Sequence, residues 1–279
     1  MKNRKMILLA ALLTTGLAAL AQQPYTSTYQ EKEVFKNDDV VFRQIDAHTW
    51  EGNGHLMANE SLYLIEGNDR AILLDAGTKI ADLDKIVAKL TTKPVTLIAT
   101  HVHPDHTGEA IKYFPKLYLN AADVVNIPQM MPQYKGEICY LKDGEVIDLG
   151  GRQIEVRFAP GHTPGSTVFF DKAVGYGFSG DAFGSGNLLV TTNISTVLST
   201  CQRISSIMEK ENIKFMYPGH YMGKNPETLQ RLKDMIGLCN DILSGKRVGE
   251  KNPHGMIGLD TIVNDFGVRI NYNSKEGVK

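Results

Sequence analysis

"HVHPDH", His101–His106, puts three imidazoles and a carboxylate into six residues. Directly before it runs "PVTLIAT", Pro94–Thr100, a short continuous apolar stretch of the kind that forms a strand buried on both faces. Neutral imidazole nitrogen and carboxylate oxygen are good ligands for zinc and related divalent ions, and one tight turn presents several of them together. The stretch therefore reads as a strand that ends in a metal-binding turn.

Working outward, the other strands end in the same chemistry. "VVFRQI" (Val40–Ile45), "SLYLIEG" (Ser61–Gly67) and "RAILLDAG" (Arg70–Gly77) read as strands, the last two joined by a turn at Gly67-Asn68-Asp69. "EVIDLGGRQIEVRFAPG" reads as a hairpin turning at Gly150-Gly151, and it delivers His162 in "GHTPGS". "TVFFD" and "VGYGFSGD" follow as two strands, the second ending at Asp181, and "IKFMYPGH" ends at His220. Singly these are weak signals. His162 would pass for a turn residue, "GD" and "PGH" are common turns, and Asp75 at a strand end is often a turn former or a helix cap. Together, side chains just past several strand ends can converge on one sheet edge, as sites in layered α/β folds do.

Helices alternate with these strands. The periodicity predicts one from about Thr78 to Leu90, with Ile80, Leu83, Ile86, Val87 and Leu90 on one face. Short helices are expected at "TGEAIKYF" and "AADVVNI", separated by the strand "KLYLN", with a loop through "PQMMPQYKGE". Ser195 is a plausible cap for a helix carrying Val197, Cys201, Ile204 and Met208, and Pro226 and Gly245 bracket the last helix. "TIVNDFGVRINYN" predicts a final strand or hairpin. "DAHTWEGNGHLMANE", Asp46–Glu60, is so polar and glycine-rich that it reads as a loop. It holds the only tryptophan, Trp50, flanked by His48 and His55, which are best read as solvated loop residues.

"HVHPDHTG", "GHTPGS", "SGD" and "PGH" in this order, with "LLDAG" upstream, resemble the metallo-β-lactamase superfamily from about Val40 to His220 or beyond. The resemblance implies an α/β fold, an αββα sandwich of two mixed sheets flanked by helices with the metal site along one edge. Carried over by motif, it implies that His101, His103 and His162 bind a first metal ion. Asp105, His106 and His220 would bind a second, Asp181 would bridge the two, and Asp75 would orient a ligand. Two divalent ions, zinc first and iron or manganese as alternatives, would lower the pKa of a shared water to near 7 and supply hydroxide for hydrolysis. Asp105 is then the carboxylate expected to hold that nucleophile and move its proton. Lys224, four residues after His220, is more simply a surface lysine, and Tyr176 and the segment after Asp181 lie near enough in sequence to line a pocket.

Subgroup differences narrow the chemistry. Class B β-lactamases have Cys or Ser where this chain has Asp181, whereas thioesterases of the glyoxalase II type, lactonases and phosphodiesterases keep Asp there. The diiron flavoproteins carry Glu in place of His103. The expected activity is hydrolysis of a small ester-like bond, lactone or thioester. A β-lactamase, a phosphodiesterase, an iron-dependent persulfide dioxygenase and a non-catalytic metal-binding protein remain as alternatives.

The rest of the chain bounds this reading. With 279 residues and 42% hydrophobic residues it can bury a substantial core. The first 21 residues have a basic start (Lys2, Arg4, Lys5), an apolar run from Met6 to about Leu20 and Ala19-Leu20-Ala21 as a cleavage site, which reads as a secretory signal peptide. The run is short for a membrane span, so a periplasmic or secreted mature domain over 22–279 is expected, with no membrane insertion after cleavage. Cleavage would leave a formal charge of −4, which excludes a polyanion binder and leaves a small molecule as the expected partner. Cys139, Cys201 and Cys239 show no CxxC spacing. The last two fall on apolar helix faces and read as buried small side chains, although an oxidising compartment permits a bridge.

Overall fold

The computed structural model describes residues 32–279, so the expected signal peptide lies outside the described residues. One sheet has eight strands lying side by side in chain order: β1 (Glu33–Lys36), β2 (Val40–Asp46), β3 (Thr49–Gly54), β4 (Ser61–Glu66), β5 (Ala71–Leu74), β6 (Val95–Ile98), β7 (Lys116–Leu119) and β8 (Glu137–Tyr140). It is antiparallel as far as β5 and parallel from β5 to β8.

The second sheet is built from β9 (Val146–Asp148), β10 (Gln153–Phe158), β11 (Thr167–Asp171) and β12 (Tyr176–Gly180), and continues through β14 (Phe215–Pro218) to β15 (Glu227–Thr228). Its β12–β14 pair is parallel and the other pairs are antiparallel. A third sheet, which the resemblance does not anticipate, joins β13 (Asn187–Leu189) to the C-terminal hairpin β17 (Thr261–Asp265) and β18 (Val268–Tyr272), with β16 (Glu250–Lys251) on its edge.

Strand alternation sorts the apolar residues into three separate cores. Leu62, Leu64 and Leu73 face helix α1 (Leu83–Leu90), while their neighbours Tyr63, Ile65, Ile72 and Leu74 point the other way and meet Val156, Phe169, Phe178 and Tyr217 of the second sheet. On that sheet's outer face Val168, Phe170 and Met216 pack under α3 (Ile194–Lys210) and α4 (Leu229–Leu243). Helix, sheet, sheet, helix is the layer order. Strands covered on both faces need no polar side, which is why "AILL" and "TVFFD" read as unbroken runs.

Several expectations are corrected by local chemistry. Thr49–Gly54 is a strand in the middle of its sheet, with Trp50 buried against the helix-side core. Its glycine marks a close approach: a Cβ on Gly52 would lie 2.7 Å from the Phe42 ring and 2.9 Å from Leu62. The helix expected from Thr78 begins at Leu83, because Thr78 N donates to Glu60 Oε1 and Ala81 N to Asp39 Oδ2, tying that stretch down as a loop that still buries Ile80. Glu137–Tyr140 forms a strand that begins at the last residue of the expected loop and that sequence reasoning does not assign. Both short helices are 3-10 turns, over Glu109–Tyr113 and Ala121–Asn126, and the one-turn helix α2 (Ile127–Met130) follows the second. Asn193, not Ser195, caps α3, its Oδ1 accepting from Thr196 N at 2.8 Å.

Candidate metal centre

Parallel pairing aligns the C-terminal ends of β5, β6 and β7, and likewise those of β12 and β14, so the residues past those ends share one edge of the sandwich. Asp75 follows β5, His101–His106 follow β6, His162 follows β10, Asp181 follows β12 and His220 follows β14. The structure brings all seven expected ligands together in two groups that could each hold a metal ion. His101, His103 and His162 form one; Asp105, His106, Asp181 and His220 form the other.

In the first group three ring nitrogens face one another. His101 Nε2 is 3.1 Å from His103 Nδ1 and 3.2 Å from His162 Nε2, which in turn is 2.9 Å from His103 Nδ1. A tetrahedral zinc site with nitrogen bonds of about 2.0–2.1 Å has edges of roughly 3.3–3.4 Å, so this triangle fits one face of such a site. Burial above all, with the neighbouring imidazoles, lowers His101 well below the usual histidine range and His103 to about 4. Burial lowers His162 too. All three are thus neutral at pH 7, the form that donates a lone pair.

The second group is ionic. His220 Nε2 lies 3.4 Å from Asp105 Oδ2 and 3.2 Å from Asp181 Oδ2, and His106 Nε2 lies 3.7 and 3.6 Å from the same two atoms. Burial opposes charge on these groups, but the mutual attraction prevails. Asp181 is held well below the ordinary carboxylate range, by His220 and then His106, while Asp105 is held at about 2 by His106 and its bond to His220. His220 is raised to about 10, chiefly by Asp181. Two buried atoms here, His106 Nε2 and Asp181 Oδ1, have no hydrogen-bond partner among the described residues. An unmet buried polar atom costs about 1–3 kcal/mol, and a cation seated among these groups would remove that cost.

Asp181 joins the groups. Its Oδ2 is also 3.8 Å from His162 Nε2, so one carboxylate oxygen reaches both clusters. His101, His106, His162 and Asp181 are buried, whereas His103, Asp105 and His220 are half-buried and form the side open to solvent.

The ring nitrogens of His101, His106, His162 and His220 that face away from the centre are held by the scaffold. Asp75 Oδ2 accepts from His106 Nδ1 at 2.8 Å and from Thr100 Oγ1 at 2.8 Å, and Thr100 Oγ1 is 3.1 Å from His101 Nδ1. His162 Nδ1 donates to the Leu189 carbonyl at 2.8 Å and His220 Nδ1 to the Ala58 carbonyl at 3.2 Å. Sequence reasoning finds Asp75 and misses Thr100, Leu189 and Ala58. The last two act through backbone oxygen, which every residue has, and only the left-handed backbone of Ala58 and Asn59 distinguishes their loop. Trp50 lies in the core, His48 is exposed and bonded to Glu66, and Lys224 is exposed. Tyr176 is at the opposite end of β12 from Asp181, its hydroxyl bonded to Asp46, so it does not line this edge.

Comparison with known proteins agrees with this fold. Residues 59–244 match the model of the metallo-β-lactamase superfamily. The chain is 27% identical over 227 residues to the human acyl-coenzyme A thioesterase MBLAC2, covering 65% of this chain and 81% of that protein. It is 26% identical over 226 residues to a hydroxyacylglutathione hydrolase of Synechococcus sp. (strain JA-3-3Ab), covering 74% and 82%. Among solved structures, a metallo-β-lactamase from Pontibacter korlensis superposes with a TM-score of 0.60 at 17% identity, covering 73% of this chain and all of that one, which shows the shared fold. By the family model and the fold alike, the chain belongs to the metallo-β-lactamase superfamily.

Proposed function

We propose that this chain is an exported hydrolase that uses two divalent ions, zinc foremost, to cleave a thioester or a comparably small ester-like bond such as a lactone. The observation that carries the proposal is Asp181 Oδ2, within 3.8 Å of a ring nitrogen of the three-histidine group and 3.2 Å of one in the other. A shared carboxylate suits a pair of ions acting on one substrate.

Ions held by the two groups would polarise the substrate carbonyl and lower the pKa of the attacking water to near 7. The chain's own part is to position and to move protons. His101, His103 and His162 would hold one ion; Asp105, His106 and His220 would hold the other. Asp105, ionised and on the open side, takes the proton of the attacking water and passes it to the departing thiol or alcohol. No serine or cysteine nucleophile is needed.

Thioester chemistry is favoured by the names of the two relatives and by the rim of the centre. Leu56 and Met57 are exposed on the loop that presents the Ala58 carbonyl to His220, and Met222, two residues past His220, is exposed as well. An apolar rim beside the open side suits an acyl group. The apolar leader of residues 1–21 supports export, with the mature enzyme in the periplasm or outside the cell and a small molecule as its partner.

The test is metal content together with initial rates of the zinc-loaded protein on an acyl thioester, a lactone, a phosphodiester and a chromogenic cephalosporin, each beside Asp105→Ala. Thioester or lactone turnover that Asp105→Ala abolishes supports the proposal. Preferential cleavage of the cephalosporin or the phosphodiester overturns the assigned bond, and a lack of turnover on all four in a chain holding two ions overturns hydrolysis.

A further inference from the structure

Outside the two groups, one buried carboxylate ties together the loops that carry His101, His103 and His162. Asp123 stands in the 3-10 turn after β7 and is 0% exposed. Its Oδ2 accepts from the backbone N–H of Val102 at 2.8 Å and from Thr163 Oγ1 at 2.9 Å. Its Oδ1 accepts from the backbone N–H of Gly165 at 2.7 Å and from Asn126 Nδ2 at 3.2 Å. A carboxylate offers about four acceptor positions, and here all are filled. That satisfaction is what lets an ionised group sit away from water.

The partners are chosen by place, not by proximity in the chain. Val102 is 21 residues away and lies between His101 and His103; Thr163 and Gly165 are 40 and 42 residues away and follow His162. The two loops are pressed onto the carboxylate: a Cβ on Gly165 would fall 2.5 Å from Asp123 Cγ. Three attachment points on two loops fix their separation and their relative tilt. The other group has ties of its own, since Ala76 N donates to the His106 carbonyl at 2.8 Å, Asp75 holds the His106 ring, and Gly219 N donates to the Gly180 carbonyl at 2.8 Å.

We propose that Asp123 is the positioning residue of the three-histidine group: by clamping Val102 to Thr163 and Gly165 it brings the ring nitrogens of His101, His103 and His162 to 2.9–3.2 Å of one another and sets that group's metal affinity. It touches neither substrate nor ion. The inference rests on reading the two groups as metal sites.

Two variants of the full chain test it. Asp123→Asn keeps the shape but turns an amide NH2 toward N–H or O–H donors, and Thr163→Val removes one of the four bonds. The readouts are zinc per chain under a graded chelator, the absorption spectrum of the cobalt-loaded protein, and melting of the metal-free protein. His162→Ala and His220→Ala serve as references for loss of each site. Asp123→Asn should weaken one of two ions by about tenfold to a hundredfold, as expected for groups that orient ligands. Its cobalt spectrum should then match His162→Ala, and Thr163→Val should show a smaller loss at the same site. Two ions held with wild-type affinity, or both weakened equally in step with the melting temperature, would overturn the proposal. Should Asp123→Asn fail to fold, Thr163→Val decides by the same criteria. A wild-type chain that takes up no metal would overturn the metal reading itself, a failure distinct from loss of this clamp.

Discussion

Asp75 Oδ2 lies 2.8 Å from His106 Nδ1, and the residue that makes this contact has a left-handed backbone, with φ of 65°. The same carboxylate accepts from Thr100 N at 2.7 Å and Thr100 Oγ1 at 2.8 Å, so one side chain at the end of β5 holds both the His106 ring and the residue next to His101. Asparagine also adopts this backbone conformation. Asp75→Asn should therefore fold, with metal at the carboxylate-containing group weakened about tenfold to a hundredfold. Asp75→Ala should in addition lose about 2–3 kcal/mol, because the buried Thr100 donors lose their acceptor. Chelator competition and urea unfolding measure the two effects separately.

Gly219 is set against Asp181, the carboxylate that reaches both groups. A Cβ there would fall 2.2 Å from Asp181 Oδ1 and 2.7 Å from the His106 ring. Gly219→Ala should displace Asp181 and reduce turnover at least a hundredfold, while Asp181→Ala should reduce it about a thousandfold or more. The measurement is kcat with metal stoichiometry. Wild-type kcat in Gly219→Ala would show that Asp181 does not need its present position.

Metal uptake by the two groups should differ in its protons. In the metal-free protein the first group's imidazoles are neutral at pH 7, with His103 lowered to about 4 by burial. His220 is raised to about 10 and His106 is raised as well, so both carry protons. Ligands must be unprotonated. Binding at the carboxylate-containing group should thus release up to two protons at pH 7, and its affinity should fall by up to about tenfold per proton for each pH unit of acidification. The three-histidine group, whose imidazoles burial holds below the usual histidine range, should lose affinity only at lower pH than the other group. Calorimetry in buffers of different ionisation enthalpy counts these protons, and equal release at both sites would contradict the assignment.

The cysteines give an independent check on the cores. Cys201 and Cys239 are free and buried in the core beneath α3 and α4, and burial raises both thiols, that of Cys239 to about 12. Cys139 is free and partly exposed on the edge strand β8. A thiol reagent at pH 8 should titrate one thiol per native chain quickly and three after unfolding. Fast reaction of two or three would show that the outer helices open readily.

How much of this was legible in the sequence depended on whether the signal was local. "HVHPDH" is one turn, and its meaning survives without any neighbour. The continuous apolar run of β6 announced a strand covered on both faces, and those of β5 and β11 were legible as strands. The third sheet was not foreseen because β13 is three residues long and pairs with β18 about eighty residues later. Thr49–Gly54 looked like a loop for a related reason: Gly52 is small because Phe42 and Leu62 fill its space, and those residues belong to other strands.

The motifs and their order, through the family resemblance they carry, were enough to name seven donors and their division into two groups, a layered α/β fold and a hydrolytic chemistry. Tertiary structure alone decided the distances within each group, that the atom of Asp181 near both is Oδ2, and that Leu189, Ala58 and Asp123 anchor the loops around them. Donor chemistry resides in the side chain and can be read one residue at a time, whereas distance and orientation come from contacts between residues tens to more than a hundred positions apart, which no local pattern encodes.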